Sequence, residues 1–419
     1  MEKWQFFWRR LRKQLWFRAS LYGAVGIITA LAAVLGAPFV PEAMAERLGG
    51  ESVEAILTIL ASSLLAVATF SLGALVTAYT SVSGAISPRV ASLVTGDEGS
   101  QRALATFIGV FLYAIVGVTA VNANYYGAEG RAIIFVVSLA VVALVAFRLL
   151  AWISRLSRLG RMGQILHQVE SETRAAMEHR LKAPRLCGAE GQVEGGREVT
   201  SVHTGYVQNI DPNSLCSLAR KGDFDVEILA MPGQFVFAGE PLARISRAEV
   251  DRRVIDKLAG AFTLGEARTF EQDPRFGLVV LSEISARALS AGVNDYGTAI
   301  EVIGVQARLI NLWVSGRAKV RPEPPLERLY GPALSEADMI DDAFTATARD
   351  GAGDVAVATR LQKLLAALEA HVGREEVPGG TAAGAIAAMR RQALERAMAE
   401  LSYEDDRARV RAAAAHASG

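Results

Sequence analysis

The sequence predicts an α-helical membrane protein with four transmembrane helices and a mixed α+β cytoplasmic domain that contains a small β-barrel. Three observations lead to this prediction. The first part of the chain holds four long apolar segments. The remainder has the composition of an ordinary soluble chain. Within that remainder, a stretch near residue 200 changes from helical periodicity to the alternation that is typical of short strands.

Composition supports a chain divided between membrane and water. Hydrophobic residues make up 51% of the 419 residues, and the mean hydropathy is +0.25, both high for a purely soluble protein. The formal net charge is +0, so the total charge gives no reason to expect a nucleic-acid partner. The two cysteines, Cys187 and Cys216, form no CxxC pair, so neither a disulfide framework nor a zinc site is expected.

The four apolar segments cover residues 20–40, 55–80, 103–121 and 132–153, each about as long as a helix that crosses a bilayer. The basic residues near their ends predict the orientation. The connections 40–54 and 122–131 hold one Arg each, whereas the N-terminal segment and the segments after the second and fourth spans are richer in Lys and Arg. The positive-inside rule therefore places both termini in the cytoplasm, and we expect a multi-pass protein of the bacterial cytoplasmic (inner) membrane.

The spans divide the rest of the chain into further regions. Residues 1–18 alternate basic with aromatic side chains, which suits an interfacial helix on an anionic leaflet, although a flexible basic tail is the alternative. The transmembrane domain is predicted at 19–155, and a stalk helix and linker follow at 156–197. A small β-barrel-like domain is predicted at 198–247, a helical region at 248–316 and a C-terminal helical region at 317–419.

The second span gathers its small and hydroxyl-bearing residues on one face. They recur every three or four residues and fall within an arc of about 100°. A membrane helix with such a stripe packs it against other helices or lines a cavity with it, and both interpretations stay open. In a homo-oligomer, the stripes of several subunits would surround one axis. The stripe consists of Thr58, Ser62, Ala66, Thr69, Gly73, Thr77 and Thr80.

The third span repeats this pattern less strongly. Tight helix packing is the simpler interpretation there, because small residues let backbones approach. No Asp, Glu, Lys or His lies in the middle of any span, which argues against a proton relay or a charge-coupled transporter. The residues that share one face of the third span are Thr106, Gly109, Tyr113, Gly117 and Ala120.

Short strands separated by turns are predicted between residues 198 and 245. The run MPGQFVFAGEPL at 231–242 resembles part of a biotinyl/lipoyl-type barrel–sandwich domain. In those domains the attachment lysine sits in a Met-Lys-Met-like turn, and no such turn occurs in this chain. The resemblance implies a small β-barrel without a covalently bound cofactor, so neither a cofactor nor a metal is expected.

Residues 268–299 carry the most distinctive polar pattern of the chain. The runs RTFEQDPRFG at 268–277 and ISARALSAGVNDYGTA at 284–299 border a predicted helix, and a second helix begins near residue 296. If these helices form a hairpin, their polar side chains could converge and bind an ion or a small molecule. The structural alternative is that Glu283 and Arg287 form an i,i+4 pair and that Asp273 and Asp295 cap helices. The candidate residues are Gln272, Asp273, Arg275, Glu283, Arg287, Asn294 and Asp295.

Together with the four spans, these two runs resemble a bacterial family of predicted multi-pass membrane proteins of unknown function. A stretch like QDPxFGxxxLxxIAxRALSPxxNDPxTA is the most recognisable feature of that family. The resemblance covers nearly the whole chain and implies a membrane location without an established activity. The chain departs from the pattern at Ala291, where the family often has Pro, and at Tyr296 and Gly297. These departures loosen the turn and leave Asn294 and Asp295 in place.

Two functions follow as alternatives. No nucleophile–base pair, phosphate loop or HExxH motif occurs in the sequence, so an enzyme is not expected. The first alternative is a homo-oligomeric channel or pore-like protein with a cytoplasmic regulatory domain, whose partners are the lipid bilayer and an unidentified ion or small molecule. The second is a membrane-anchored binding or scaffold module without transport.

Overall fold

The chain divides into two compact units, which we call the N-terminal unit (Trp8–Gln164) and the C-terminal unit (Ile165–Gly419). The computed structural model describes residues 15–36, 52–85, 89, 98–156, 162–375 and 380–415. Most of residues 1–18, for which an interfacial helix is predicted, lie outside the described residues. The boundary between the units falls close to the predicted end of the transmembrane domain.

Long apolar helices make up the described part of the N-terminal unit. They are α1 (Leu15–Gly36), α2 (Ser52–Ala85), α3 (Glu98–Asn122) and α4 (Ala128–Leu156). By length and composition, α2, α3 and α4 could each cross a membrane. The described apolar part of α1, Ala19–Ala32, is shorter, since at 1.5 Å per residue it extends about 21 Å. The described residues therefore support three candidate spans where the sequence predicts four, and residues 37–40 of the predicted first span lie outside them.

The helix α3 lies at the centre of this unit and packs against α1, α2 and α4. Glycines permit the closest approaches. A Cβ added at Gly109 would lie 2.8 Å from the carbonyl oxygen of Tyr22, and one added at Gly26 would collide with the carbonyl of Gly109. A Cβ at Gly117 would lie 3.1 Å from Leu57 on α2. In the third span, the small residues thus serve tight helix packing.

Two buried tyrosines join the helices by hydrogen bonds. The hydroxyl of Tyr113 on α3 lies 3.0 Å from Ser138 Oγ on α4. The hydroxyl of Tyr126, between α3 and α4, donates to the carbonyl oxygen of Ala30 on α1 at 2.7 Å. In an apolar surrounding each of these polar groups needs a partner, so the tyrosines also select which helices pack together.

The helix α5 (Met162–Lys182), which lies in the C-terminal unit from Ile165 onward, is followed by two sheets. The strands are β1 (Arg197–Thr200), β2 (Gly205–Ile210), β3 (Val226–Ile228), β4 (Phe235–Val236), β5 (Pro241–Ile245), β6 (Phe262–Gly265) and β7 (Leu329–Tyr330). Two short helices, α6 (Pro212–Gly222) and α7 (Arg252–Ala259), lie between strands. Apolar side chains from both sheets and both helices share one core.

The predicted small β-barrel is replaced by two open sheets. One has the order β1-β5-β3-β7 and the other the order β4-β2-β6, and neither closes on itself among the described residues. All pairings are antiparallel except that of β3 with β7. Both β6 and β7 come from outside the predicted region 198–247. Their pairing joins residues far apart in sequence, which the local alternation of side chains does not reveal.

Helices complete the C-terminal unit. They are α8 (Pro274–Ala288), α9 (Tyr296–Lys319), α10 (Glu336–Asp350), α11 (Val355–Glu375), α12 (Ala382–Glu400) and α13 (Glu404–Ala415). Pairs packed together include α8 with α10, α9 with α11, and α10 with α12. The carboxylates of Asp273 and Asp295 accept from the first turns of α8 and α9, and the hydroxyl of Ser335 does so at α10. The predicted caps at Asp273 and Asp295 are thus confirmed.

Candidate functional site

The stripe on α2 faces away from the described helices α1, α3 and α4. Thr58, Ser62, Ala66, Thr69, Gly73, Thr77 and Thr80 are all exposed. The buried residues of the same helix, which include Val53, Leu57, Leu60 and Leu64, lie on the opposite face at 100° per residue. The contact of α2 with α3 therefore uses an apolar face and leaves the stripe uncovered by the described helices of its own chain.

Four of the five hydroxyls of the stripe donate within α2. Ser62 donates to the carbonyl oxygen of Thr58 at 2.9 Å, and Thr69 donates to that of Leu65 at 2.8 Å. Thr77 and Thr80 likewise donate to carbonyls one turn earlier, at 3.0 Å each. A Cβ added at Gly73 would meet no atom within 4 Å. Hydroxyls that are bonded to their own backbone cost little free energy when another surface covers them. The stripe can therefore contact either a second helix or water.

The first half of the polar pattern at 268–299 forms a buried junction. The Gln272 side chain accepts from Ile210 N at 2.9 Å and donates to Ile210 O at 3.0 Å, so it continues the backbone pairing of β2. Asp273 Oδ1 accepts from Phe276 N at 3.2 Å, and its Oδ2 accepts from Arg268 Nε at 2.7 Å. Gln272 and Asp273 are each only 3% exposed, so both act inside the fold.

Arg180 on α5 completes this junction and lies outside the polar pattern recognised in the sequence. It is buried, and its Nη2 donates to the backbone oxygen of Gln272 at 3.2 Å. Burial lowers the pKa of Arg180 to about 10 while the charge of Asp273 opposes the shift. Burial also raises the pKa of Asp273, against the hydrogen bond from Arg268. An arginine among apolar residues of a predicted stalk helix was the signal that could have identified it.

Two glycines let backbone and helices close around the junction. Gly233 has a φ of +89°, and a Cβ there would lie 2.7 Å from Asp273 Cγ. The turn of the run MPGQF thus packs directly on the capping carboxylate. A Cβ at Gly277 would lie 2.7 Å from both Cβ and Cγ2 of Thr173 on α5. Gly277 therefore sets the distance between α5 and α8.

Arg275 connects the junction to α10. Its Nε lies 2.6 Å from Asp342 Oδ2, and its Nη1 lies 2.6 Å from Asp338 Oδ2. These carboxylates raise the pKa of Arg275, although burial acts in the opposite direction as the largest single influence. Its role is thus to hold α8 against α10 through Nε and Nη1.

The second half of the pattern lies at the other end of α8. Asn294 has a φ of 51° in an exposed loop, and the exposed Asp295 accepts from Thr298 N at 3.0 Å. Hydrogen bonds from Thr298 lower the pKa of Asp295. Because α8 has 15 residues, about 22 Å separates this loop from Gln272 and Asp273. The structure thus brings Gln272, Asp273 and Arg275 together and leaves Asn294 and Asp295 apart from them.

Glu283 and Arg287 come between these two groups in sequence. They lie in the C-terminal half of α8, where Glu283 is partly buried and Arg287 is exposed. Among the described residues, no group of three or more His, Cys, Asp or Glu side chains could hold a metal ion. The predicted cluster is divided: Gln272, Asp273 and Arg275 lie at a structural junction, Asn294 and Asp295 lie in an exposed loop, and Glu283 and Arg287 lie on α8.

These features define a helical protein with three candidate membrane spans and a separate C-terminal unit of sheets and helices. The chain belongs to the family described as Predicted membrane protein (DUF2254), whose family model matches residues 12–367. The resemblance found in the sequence is thereby confirmed.

Two curated relatives also match part of the chain. The uncharacterized protein Mb1321c of Mycobacterium bovis and the uncharacterized protein Rv1290c of Mycobacterium tuberculosis are each 27% identical to it over 228 residues. Each match covers 52% of this chain and 42% of the relative, so the chain spans less than half the length of these relatives. No solved structure matches the chain.

Proposed function

We propose that this protein is a homo-oligomeric, channel-like protein of the bacterial cytoplasmic membrane, without enzymatic activity. In this proposal the α2 stripes of several subunits face one another around a common axis. Residues 20–40 form a fourth span, both termini lie in the cytoplasm, and the C-terminal unit is a cytoplasmic regulatory domain. The lipid bilayer surrounds the oligomer.

The exposure of the stripe is the observation that carries this proposal. A stripe used to pack α2 within its own chain would be buried against α1, α3 or α4, and it lies on the opposite face. Its residues are small, so neighbouring helices can approach closely or leave a narrow space between them. Because the hydroxyls of Ser62, Thr69, Thr77 and Thr80 already have acceptors within α2, water or an ion can pass these positions without leaving an unpaired donor.

The side chains around the stripe fit the same arrangement. Phe70, Leu65 and Leu72, which flank it, are 68%, 53% and 45% exposed. On α4, Phe147 and Leu150 are 68% and 69% exposed and form an apolar surface without hydroxyls. This difference between two exposed faces favours lipid contact for α4 and subunit contact for α2.

Conductance tests the proposal directly. Purified protein in a planar bilayer bathed in potassium chloride should conduct, and Thr69→Leu should reduce the conductance because it replaces a hydroxyl with a larger apolar group. Thr69→Ser should keep it, and Phe147→Leu should leave it unchanged. The absence of conductance in the wild type, or equal effects of the Thr69 and Phe147 substitutions, would contradict the proposal.

Cross-linking tests the subunit arrangement separately. In a background of Cys187→Ser and Cys216→Ser, a cysteine at position 69 should form intersubunit disulfides under oxidation, whereas a cysteine at position 147 should not.

The second candidate function is a membrane-anchored binding module without transport. The observation that favours it is the compact C-terminal unit with its own apolar core. Cross-linking through position 69 without any conductance would favour this candidate over the channel.

A further inference from the structure

A cavity of about 530 Å³ lies in the C-terminal unit where four helix ends meet. The helices α5 and α9 end beside it, and α10 and α12 begin beside it. Its volume is in the range typical of sites for small organic molecules. None of the residues assigned to the stripe or to the pattern at 268–299 lines it.

Apolar side chains form one part of the cavity wall. Leu181 comes from the last turn of α5, Trp313 from α9, and Leu334 from the segment before α10. Trp313 is 4% exposed, and its indole Nε1 has no acceptor among the described residues. This part of the wall is apolar and contains one indole donor without a partner.

The charged side chains of the cavity are two arginines and one glutamate, which leaves a net charge of +1 on the lining. Glu336 is fully engaged: it pairs with Arg317, and it accepts from the backbone N of Thr381 at 2.7 Å. Burial raises the pKa of Glu336, but the hydrogen bonds from Thr381 and Arg317 together lower it by more. The net pKa is therefore lowered, and the carboxylate stays ionised at neutral pH.

Arg185 is the second arginine of the lining, and both arms of its guanidinium already have partners. One arm donates to the carbonyl oxygen of Gly331 at 3.3 Å, and the other lies 2.8 Å from Glu190. The side chain of Glu190 is 82% exposed, so this ion pair is solvated and contributes little. A carboxylate entering the cavity could replace it in a less solvated place, where the same pairing is stronger.

We propose that this cavity binds a small organic monocarboxylate. Its apolar body packs on Leu181, Trp313 and Leu334, and its carboxylate pairs with Arg185. The single net positive charge of the lining favours a monoanion over a dianion. A neutral molecule cannot form the ion pair with Arg185. The inference concerns the C-terminal unit and does not depend on conduction through the membrane.

Ligand-observed fluorine NMR on the full-length protein in detergent tests this inference. The probe is para-fluorobenzoate, and the neutral counterpart is para-fluorobenzamide. We expect the benzoate signal to broaden with the protein at millimolar probe concentration, and the benzamide signal to broaden much less. Empty detergent micelles correct for partitioning of either compound.

Two variants locate the binding. Arg185→Gln should weaken benzoate binding about tenfold, since it removes a charge-assisted hydrogen bond. Arg174→Gln is the matched control, because Arg174 lies on α5, which ends shortly before Arg185, pairs with Glu170 at 3.6 Å and does not line the cavity. Ala333→Trp should abolish binding by filling the cavity without removing a charge. Thermal melting confirms that each variant is folded.

Three results would overturn the inference. They are the absence of broadening with the wild type, equal binding of the acid and the amide, and benzoate binding that neither Arg185→Gln nor Ala333→Trp reduces.

Discussion

At Gly277, replacing glycine with alanine should destabilise the protein, which is the opposite of the usual effect of this substitution in a helix. In a helix interior, replacing Gly with Ala stabilises by about 1 kcal/mol, because glycine loses more backbone entropy on folding. At Gly277 the added Cβ would lie 2.7 Å from Cβ and Cγ2 of Thr173, and closer still to its Oγ1. Thr173 is fully buried, and its hydroxyl donates to Val169 O at 2.6 Å. Its β-branched side chain has few rotamers with which to avoid the clash.

The cost follows from these contacts. An extra methyl group in a packed site costs about 1–3 kcal/mol, and the rigid neighbour places Gly277→Ala near the upper value. After subtracting about 1 kcal/mol of helix propensity, we expect a net loss of about 2 kcal/mol. The matched control is Gly304→Ala in α9, where the nearest atom would be Arg308 Nη1 at 3.8 Å. That substitution should stabilise the protein by up to about 1 kcal/mol.

Hydrogen exchange measured by mass spectrometry on the full-length protein reports the local effect. Peptides from residues 162–182 and 274–288 should exchange about thirtyfold faster in Gly277→Ala, which corresponds to a loss of about 2 kcal/mol in opening free energy. Adding Thr173→Ala should restore most of the protection, because it removes the atoms that clash. Exchange no faster than in the wild type, or no recovery in the double variant, would refute this reasoning.

Other outcomes are expected at three sites. Glu336→Gln should lower stability by about 2 kcal/mol at pH 7. Because the folded pKa of Glu336 is lowered from 4.5, the advantage of the wild type exists above pH 4.5 and is lost as the pH falls through the folded value. Gly109→Leu should lower the melting temperature by separating α1 from α3, whereas Gly73→Leu, with no neighbour within 4 Å, should leave the subunit fold intact. Gln272→Ala should cost about 2 kcal/mol, since it leaves both buried backbone groups of Ile210 without their partner.

Each of these expectations has a contradicting result. Circular dichroism melts at several pH values would contradict the first if the difference between the wild type and Glu336→Gln stayed constant below pH 4.5. Equal melting temperatures of the two leucine variants would contradict the second. For Gln272→Ala, unchanged hydrogen exchange in peptides from residues 205–210 would show that the backbone groups find other partners.

The apolar helices and the caps could be read from the sequence because their causes are local. About twenty predominantly apolar residues specify a helix of membrane length by themselves, and Asp273 and Asp295 cap the helices that begin directly after them. The stripe on α2 was also visible, since helical periodicity alone places Thr58, Thr69 and Thr80 on one face. Its exposure was not visible, because that depends on which face the other helices cover.

The candidate cluster depends on contacts that local sequence patterns do not reveal. Helical geometry could have shown that the two ends of a 15-residue helix lie about 22 Å apart, but only the fold revealed what each end contacts. Gln272 meets a strand some sixty residues earlier in the chain, and Arg180 reaches it from α5. The sheets likewise depend on contacts between distant segments, since β7 pairs with β3 from about a hundred residues away.

The amino-acid pattern by itself determined the class of this protein: apolar helices of membrane length, followed by a unit of strands and amphipathic helices. Hydrophobic length and side-chain periodicity act over neighbouring residues, so they can be recognised without coordinates. The tertiary structure alone decided that the hydroxyl stripe lies opposite the packed face, that the QDP run is a buried junction, and that helix ends enclose a cavity beside Arg185. These properties arise from contacts between distant segments, whose pairing depends on the packing of the whole chain.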